Sequence, residues 1–154
     1  MRAWHFAVAA WICLIFFSST SLASVWCESG FSSVSSWLFK DLHPHSSAYN
    51  FVHLLADKGL HVSLFCVLAI LLWQALPDVQ HKLTTILICG ALVGCCSEFL
   101  QRFFPGRDPA MRDVLINIGG TGLGIFLRIK ASTGMNRFAD RESESELAST
   151  RFPS

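Results

Sequence analysis

The chain has 154 residues, of which 52% are hydrophobic and only 15% are charged, and it contains 13 Phe and 5 Trp. This composition is too apolar for an ordinary soluble domain of the same length and indicates a membrane protein. The formal net charge of +1 excludes a basic surface of the size that binding to nucleic acid requires.

The first apolar segment covers residues 4–22 and follows Arg2. It is long enough to cross a membrane, but residues 21–23 also fit the small-x-small pattern of a signal-peptide cleavage site. The local sequence favours neither interpretation. Residues 25–56 contain many Ser and His and predict a loop at the water interface, with a short amphipathic helix near residues 34–42.

Three further apolar segments follow, at residues 60–76, 83–100 and 114–129. Gly90 and Gly94 in the third segment, and Gly120 and Gly124 in the fourth, have the small-xxx-small spacing that lets helix backbones approach each other closely. The sequence therefore predicts an all-α fold, an integral membrane four-helix bundle in which these glycines form packing faces.

The remaining segment differs in composition from the rest of the chain. Residues 131–154 are polar, alternate Glu with Ser and show no apolar period, which predicts a disordered C-terminal tail. The predicted organisation is a transmembrane domain over residues 1–130 followed by this tail.

The distribution of Lys and Arg gives an orientation. With four spans, both termini lie on the same side of the membrane. That side would carry Arg2, Lys82, Arg128, Lys130, Arg137, Arg141 and Arg151, and the other side would carry Lys40, Lys58, Arg102, Arg107 and Arg112. The excess on the side of the termini favours a cytoplasmic location for them.

Polar residues are concentrated where three of the segments meet. Because successive spans are antiparallel, the start of the second, the end of the third and the start of the fourth reach the same face of the membrane. An ionisable side chain in a bilayer costs roughly 2.5 to 3.5 kcal/mol on insertion scales, so such residues are expected to pair, face water or perform a task. We predict one polar cluster at the non-cytoplasmic face, formed by Asp57, Lys58, His61, Glu98, Gln101, Arg107, Asp113 and Asn117.

Several cluster residues also fit ordinary structural roles. Asp57 with Lys58 resembles an ion pair that caps a helix start, and His61 resembles a hydrogen-bonded core histidine. Asn117 fits an interhelical hydrogen bond. Arg107, after a Pro-Gly turn, is the natural partner of Glu98, whereas Arg102 and Arg112 are expected to contact lipid phosphates. His43 and His45 have no further spaced ligands and are interpreted as loop residues.

Three blocks of the sequence resemble the VanZ-like family of small bacterial integral membrane proteins. They are "IFFSST" at 15–20, "DKGLHVSLFCVLAILL" at 57–72 and "EFLQRFFPGRDPAMRDVLINIGGTGLG" at 98–124. The family pattern, Asp-Lys-x-x-His, Glu-x-x-Gln, then Pro-Gly-Arg, Asp and Asn, is met by the eight cluster residues with Pro105 and Gly106. The resemblance implies that the first segment is a true span rather than a signal peptide. It also implies a multi-pass protein of the bacterial cytoplasmic membrane.

The resemblance and the cluster together support three functional hypotheses. In the leading one, the cluster is a pocket for an anionic lipid headgroup or a cell-envelope precursor, with a link to envelope biogenesis or to the teicoplanin resistance after which the family is named. In the second, it is an enzyme site acting on a phosphorylated or glycosylated lipid, with His61 or Glu98 as general base. In the third, the protein is a structural subunit of an envelope complex.

Other kinds of site lack their sequence signatures. The chain has no Gly-x-Ser-x-Gly elbow, no His-Glu-x-x-His zinc motif and no phosphate-binding glycine loop. We therefore predict no cofactor and no metal. Membrane lipids are the predicted partners, and nucleic acid is not.

The shared face can be tested by thiol labelling. In a variant whose native cysteines are replaced, Lys58→Cys and Arg107→Cys are expected to react with a membrane-impermeant reagent from the same side, because both belong to the cluster. Lys82→Cys, at the other face, serves as the control and should react from the opposite side. Labelling of intact cells and of inverted vesicles measures this. Reaction of positions 58 and 107 from opposite sides would contradict the predicted cluster.

Overall fold

Four helices, packed as a bundle, make up most of the described residues. The computed structural model describes residues 2–20, 30, 46–78, 80–104 and 110–151, with side chains described within residues 3–134 of these ranges. The helices are α1 (Arg2–Ser18), α2 (Ser47–Ala75), α3 (Lys82–Gln101) and α4 (Met111–Arg151). No strand occurs among the described residues, and the prediction of an all-α bundle is confirmed.

Three of the helices are long and apolar enough to cross a membrane: α2, α3 and the part of α4 from Met111 to Gly134. The remaining helix, α1, is apolar but has only 17 residues. Large apolar side chains such as Phe6, Leu115 and Phe126 point outward and are more than half exposed. In a bilayer these side chains contact acyl chains, so the exposed apolar surface is consistent with the predicted membrane protein.

The helix α1 is an integral part of the bundle. Ile15 is only 2% exposed and lies in the core, and Val8 and Ile12 pack against that core. The indole Nε1 of Trp11 donates a hydrogen bond of 2.9 Å to the carbonyl oxygen of Leu64 in α2. This packing agrees with the expectation that the first segment is a helix of the bundle.

The helix α2 begins well before residue 60, where the second apolar segment starts. Its N-cap is Ser46, whose hydroxyl oxygen accepts a hydrogen bond of 3.1 Å from the backbone N–H of Tyr49. The expectation of a loop as far as residue 56 is therefore wrong from Ser47 onward, because this cap starts the helix before the sequence becomes continuously apolar. Asp57 lies inside α2, and the interpretation of Asp57 as a helix cap is also wrong. Residues 34–42 lie outside the described residues.

Glycines set the close approach of α2 to α4. A Cβ atom at Gly120 would lie 2.6 Å from the carbonyl oxygen of Val62, and one at Gly124 would meet the carbonyl oxygen of Cys66 and lie 2.8 Å from Cβ of Ala69. Residue numbers rise together along this contact, so α2 and α4 are parallel. The predicted packing face of α4 is confirmed.

The helix α3 runs antiparallel to α4 and packs on it in a similar way. A Cβ atom at Gly90 would meet the side chain of Thr121, and one at Gly94 would lie 3.3 Å from Cβ of Asn117. The glycine face predicted for α3 is thus confirmed as well. The core of the bundle consists of Ile15, Leu64, Phe65, Leu68, Ala69, Leu72, Ile86 and Ile125.

An ion pair lies between α2 and α3, at the end of the bundle away from the predicted cluster. Lys82 Nζ is 2.8 Å from Asp78 Oδ1 and lies 5.0 Å from the ring centroid of Trp73. The hydrogen bond from Lys82, together with its charge, lowers the pKa of Asp78 from its ordinary value. The Asp78 side chain is 95% exposed, so the pair is largely screened by solvent.

The helix α4 continues to Arg151 and so includes most of the segment for which the sequence predicts disorder. Side chains are not described beyond residue 134, and the disorder of residues 131–154 remains a prediction.

The glycine contact between α2 and α4 predicts a specific loss of stability. Gly124→Ala is expected to lower the free energy of unfolding by about 1 to 3 kcal/mol, because the added methyl group would overlap Cys66 and Ala69. Gly122→Ala is the matched control, since a Cβ there has nothing within 4 Å. Thermal unfolding in detergent, followed by circular dichroism, measures both variants. Equal effects of the two substitutions would argue against tight α2–α4 packing.

Candidate functional site

An ion pair joins α2 to α4 at one end of the bundle. Lys58 Nζ lies 2.7 Å from Asp113 Oδ2 and 3.1 Å from Asp57 Oδ2. The side chains of Lys58 and Asp113 are only 22% and 10% exposed. Attraction between charges is screened less in such a position than at a water-exposed surface. The contact therefore fixes two helix segments that are 55 residues apart in the chain.

A hydrogen bond between His61 and Asn117 lies one turn deeper. Asn117 is completely buried and His61 is 8% exposed. His61 Nδ1 is 3.3 Å from Asn117 Oδ1, and this contact is a hydrogen bond in the tautomer that carries the hydrogen on Nδ1, because a carboxamide oxygen can only accept. In neutral His61 this arrangement leaves the lone pair on Nε2, which makes that atom a hydrogen-bond acceptor.

The helix α3 contributes Glu98 and Gln101 from its last turn. Glu98 Oε1 accepts from Gln101 Nε2 at 3.5 Å, and Glu98 Oε2 accepts from the backbone N–H of Ala110 at 3.3 Å. Both bonds are at the long end of the usual range. Glu98 is 5% exposed and lies close enough to Lys58, His61 and Asp113 to experience their charges.

The register of α3 against α4 places two buried carboxylates opposite each other. Gly94 faces Asn117 across this interface. One helical turn farther toward the cluster, the antiparallel register brings Glu98 opposite Asp113. Both residues are buried. Carboxylates in such a position repel each other unless a proton or a positive group lies near them.

Two buried polar atoms of the cluster have no hydrogen-bond partner in the part of the chain that the structure describes. They are Asp113 Oδ1 and Asn117 Nδ2, one acceptor and one donor on successive turns of α4. Arg112 Nε is 3.7 Å from Asp113 Oδ1, beyond hydrogen-bond distance, and its side chain is 72% exposed. Most buried polar groups in proteins are hydrogen-bonded. The cluster thus retains capacity for further hydrogen bonds.

The structure brings together seven of the eight residues that the sequence singled out: Asp57, Lys58, His61, Glu98, Gln101, Asp113 and Asn117. Arg107, with Pro105 and Gly106, lies outside the described residues, so the Glu98–Arg107 pair remains a prediction. His43 and His45 lie outside them as well. Arg102 and Arg112 are exposed at this end of the bundle.

Buried hydroxyl groups complete the α3–α4 interface, and the sequence interpretation did not include them. Ser97 Oγ donates to the carbonyl oxygen of Gly94 at 2.8 Å, and Thr121 Oγ1 donates to that of Asn117 at 3.0 Å. The sequence signal for these bonds is the spacing: Ser97 comes three residues after Gly94 and Thr121 four residues after Asn117, which puts each hydroxyl group within reach of the earlier carbonyl in the same helix. Among the described residues, no three His, Cys, Asp or Glu side chains are grouped to hold a metal ion.

Comparisons with known proteins bear on the fold and on this site. The sequence model of the VanZ/LLP1 family matches residues 4–131. The chain is also similar to the Schizosaccharomyces pombe protein named "Uncharacterized protein C11E3.10", with 32% identity over 75 residues, which are 47% of this chain and 46% of that protein. The matched region therefore spans about half the length of this relative. No solved structure matches the chain.

Removal of the Lys58 ammonium is expected to destabilise the bundle. Lys58→Met should lower the free energy of unfolding by about 3 kcal/mol, because it leaves the carboxylates of Asp57 and Asp113 uncompensated in a partly buried position. Lys82→Met is the matched control, with an expected loss below about 1 kcal/mol because Asp78 remains in water. Thermal unfolding in detergent measures both. A loss for Lys58→Met no larger than that for the control would show that the α2–α4 ion pair contributes little.

Proposed function

The chain belongs to the VanZ/LLP1 family and is a multi-pass membrane protein, and we propose that its polar cluster binds the anionic headgroup of a membrane lipid or of a cell-envelope precursor. In this proposal the ligand approaches from the surrounding headgroup layer. The contacts in the bundle hold the polar side chains in position before it arrives.

The observation that carries the proposal is the pair of unpartnered buried atoms, Asp113 Oδ1 and Asn117 Nδ2. If the cluster only locked helices together, its buried polar atoms would be expected to be paired with one another. Charged and polar residues in a bilayer are costly and commonly mark functional sites. Buried polar atoms without partners in a membrane-embedded cluster therefore support the proposal that the cluster binds a ligand.

Positive groups for the anion are available from residues at the edge of the cluster. Arg102 and Arg112 are exposed, and cationic side chains at the headgroup plane attract lipid phosphates. In the proposed arrangement Arg107 makes the direct anion contact, as a planar donor suited to bidentate bonds with phosphate. Glu98, His61 and Asp57 then set the charge around it.

The placement in the membrane is also a proposal. We place both termini in the cytoplasm and the cluster at the opposite face of the bacterial cytoplasmic membrane. The Lys and Arg distribution and the family resemblance support this orientation. The relative in Schizosaccharomyces pombe extends the similarity beyond bacteria. Envelope biogenesis and teicoplanin resistance are the processes to which the resemblance connects this chain.

A lipid-modifying enzyme is the second candidate, and the His61–Asn117 hydrogen bond favours it. In the tautomer that donates from Nδ1 to Asn117, the Nε2 atom of His61 has the lone pair that a general base requires. Turnover of a phosphorylated or glycosylated lipid that is lost in His61→Ala would select this candidate over simple binding. A structural subunit, the third candidate, predicts instead that Glu98→Gln reduces the amount of folded protein.

Lipid analysis of the purified protein tests the binding site. Wild-type protein is expected to retain a particular lipid or envelope precursor, and Arg107→Ala is expected to lose most of it because the anion contact is removed. Lys130→Ala, which removes an exposed cation near the other end of the membrane-spanning part of α4, is the matched control and should retain it. Mass spectrometry of co-purifying lipids, normalised to folded protein, gives the measurement. Identical lipid content in all three proteins would count against the proposal.

A further inference from the structure

We propose that the ligand is an aminophospholipid, whose protonated amine lies among the carboxylates of the cluster while its phosphate lies at the exposed arginines. The inference rests on the proposed lipid site and revises the net charge of the headgroup, because a positive amine accompanies the anionic phosphate. Its basis is the separation of negative and positive groups in the described residues.

Carboxylates outnumber the cations inside the cluster. Asp57, Glu98 and Asp113 are acidic, and Lys58 is the lysine that lies among them. Its ammonium is already shared between Asp57 and Asp113. The hydrogen bonds that Glu98 accepts come from neutral donors, Gln101 and the backbone of Ala110. A phosphate group alone would be repelled from this interior, whereas a positive group would be attracted.

The free acceptor identifies the kind of group that is missing. Asp113 Oδ1 is buried and has no hydrogen-bond donor among the described residues, since Arg112 Nε at 3.7 Å is beyond hydrogen-bond distance, although Asp113 Oδ2 is bonded to Lys58. An ionised carboxylate accepts hydrogen bonds and donates none, so its partner must bring an N–H or O–H. A primary ammonium supplies three such hydrogens together with a positive charge. It would also relieve the repulsion between Asp113 and Glu98 on the facing helix.

A second unpartnered group has the opposite requirement. Asn117 Nδ2 is a donor within a completely buried side chain, so it needs an acceptor oxygen. Asn117 lies one turn deeper along α4 than Asp113, so an amine that points inward from an outer phosphate meets the requirement of Asp113 alone.

Exposed cations surround the acidic interior. Arg102 follows Glu98 by one helical turn in the outward direction, and Arg112 directly precedes Asp113. Both arginines are exposed, at the end of the bundle where headgroup phosphates are expected. In an ethanolamine headgroup two carbons separate the amine from the phosphate. The amine can therefore lie among the carboxylates in the interior while the phosphate lies at the arginines on the edge of the same site.

Wild-type protein with defined lipids gives the first test. Native mass spectrometry of the detergent-solubilised protein compares phosphatidylethanolamine, its N-methyl and N,N-dimethyl derivatives, phosphatidylcholine and phosphatidylglycerol with the same acyl chains. Phosphatidylethanolamine is expected to bind about tenfold more tightly than phosphatidylglycerol, with affinity falling as methyl groups replace N–H donors. Equal binding of phosphatidylethanolamine and phosphatidylcholine, or tighter binding of phosphatidylglycerol, would overturn the inference.

Substitution of Glu98 separates this inference from the proposed function. Glu98→Gln keeps the size of the side chain and removes its charge, so it is expected to abolish the preference for phosphatidylethanolamine over phosphatidylglycerol. Asp78→Asn, which removes a carboxylate at the other end of the bundle, should leave the preference intact. If Glu98→Gln changes lipid binding but the wild-type protein prefers phosphatidylglycerol, the inference that the ligand carries an amine is wrong, whereas the proposed lipid-binding site stands. If no lipid responds to Glu98→Gln or to Arg107→Ala, both proposals fail.

Discussion

The ion pair between Lys58 and Asp113 is the interaction on which the arrangement of the polar cluster depends. It links α2 to α4 at 2.7 Å, in a bundle whose core packs through apolar side chains and glycines. Separate burial of either charge in a bilayer would be unfavourable, so each residue makes the position of the other possible. With these two helices joined, His61 meets Asn117 and the last turn of α3 brings Glu98 to the same place. The cluster is therefore a product of helix packing and cannot be assigned to any one segment.

Much of this architecture could be predicted from the sequence because hydrophobic length and helix periodicity are local properties. The spacing of Gly90 with Gly94 and of Gly120 with Gly124 correctly indicated close packing, and alternation of span direction brought residues 57–61, 98–101 and 113–117 to one face. The start of α2 was not predicted, because it is marked by one capping residue, Ser46, in a stretch that is not yet continuously apolar. The facing of Glu98 and Asp113 also could not be read in advance, because it depends on the axial register of two helices, which the glycine contacts define only in the folded protein.

The cluster differs from the second ionic contact of the bundle in its surroundings. Lys82 pairs with Asp78, whose side chain is almost fully exposed, so water can satisfy whatever the pair leaves open. The carboxylate of Asp113 has no such access, and one of its oxygens is left without a donor. The same two residue types thus form a contact whose carboxylate faces water at one end of the protein and a candidate binding site at the other. Burial of the carboxylate, more than residue identity, makes the distinction, since Lys82 is itself largely buried.

The glycine contacts between α2 and α4 also have a mechanical consequence. Gly120 and Gly124 bring the backbone of α4 directly against backbone atoms of α2, where no rotamer change can take up a displacement. These two helices should therefore move as one rigid frame. The contacts of Gly90 and Gly94 in α3 with α4 are made to the side chains of Thr121 and Asn117 instead of to its backbone. A shift of α3 along this frame would alter the distance between the carboxylates of Glu98 and Asp113 while leaving the Lys58–Asp113 ion pair intact.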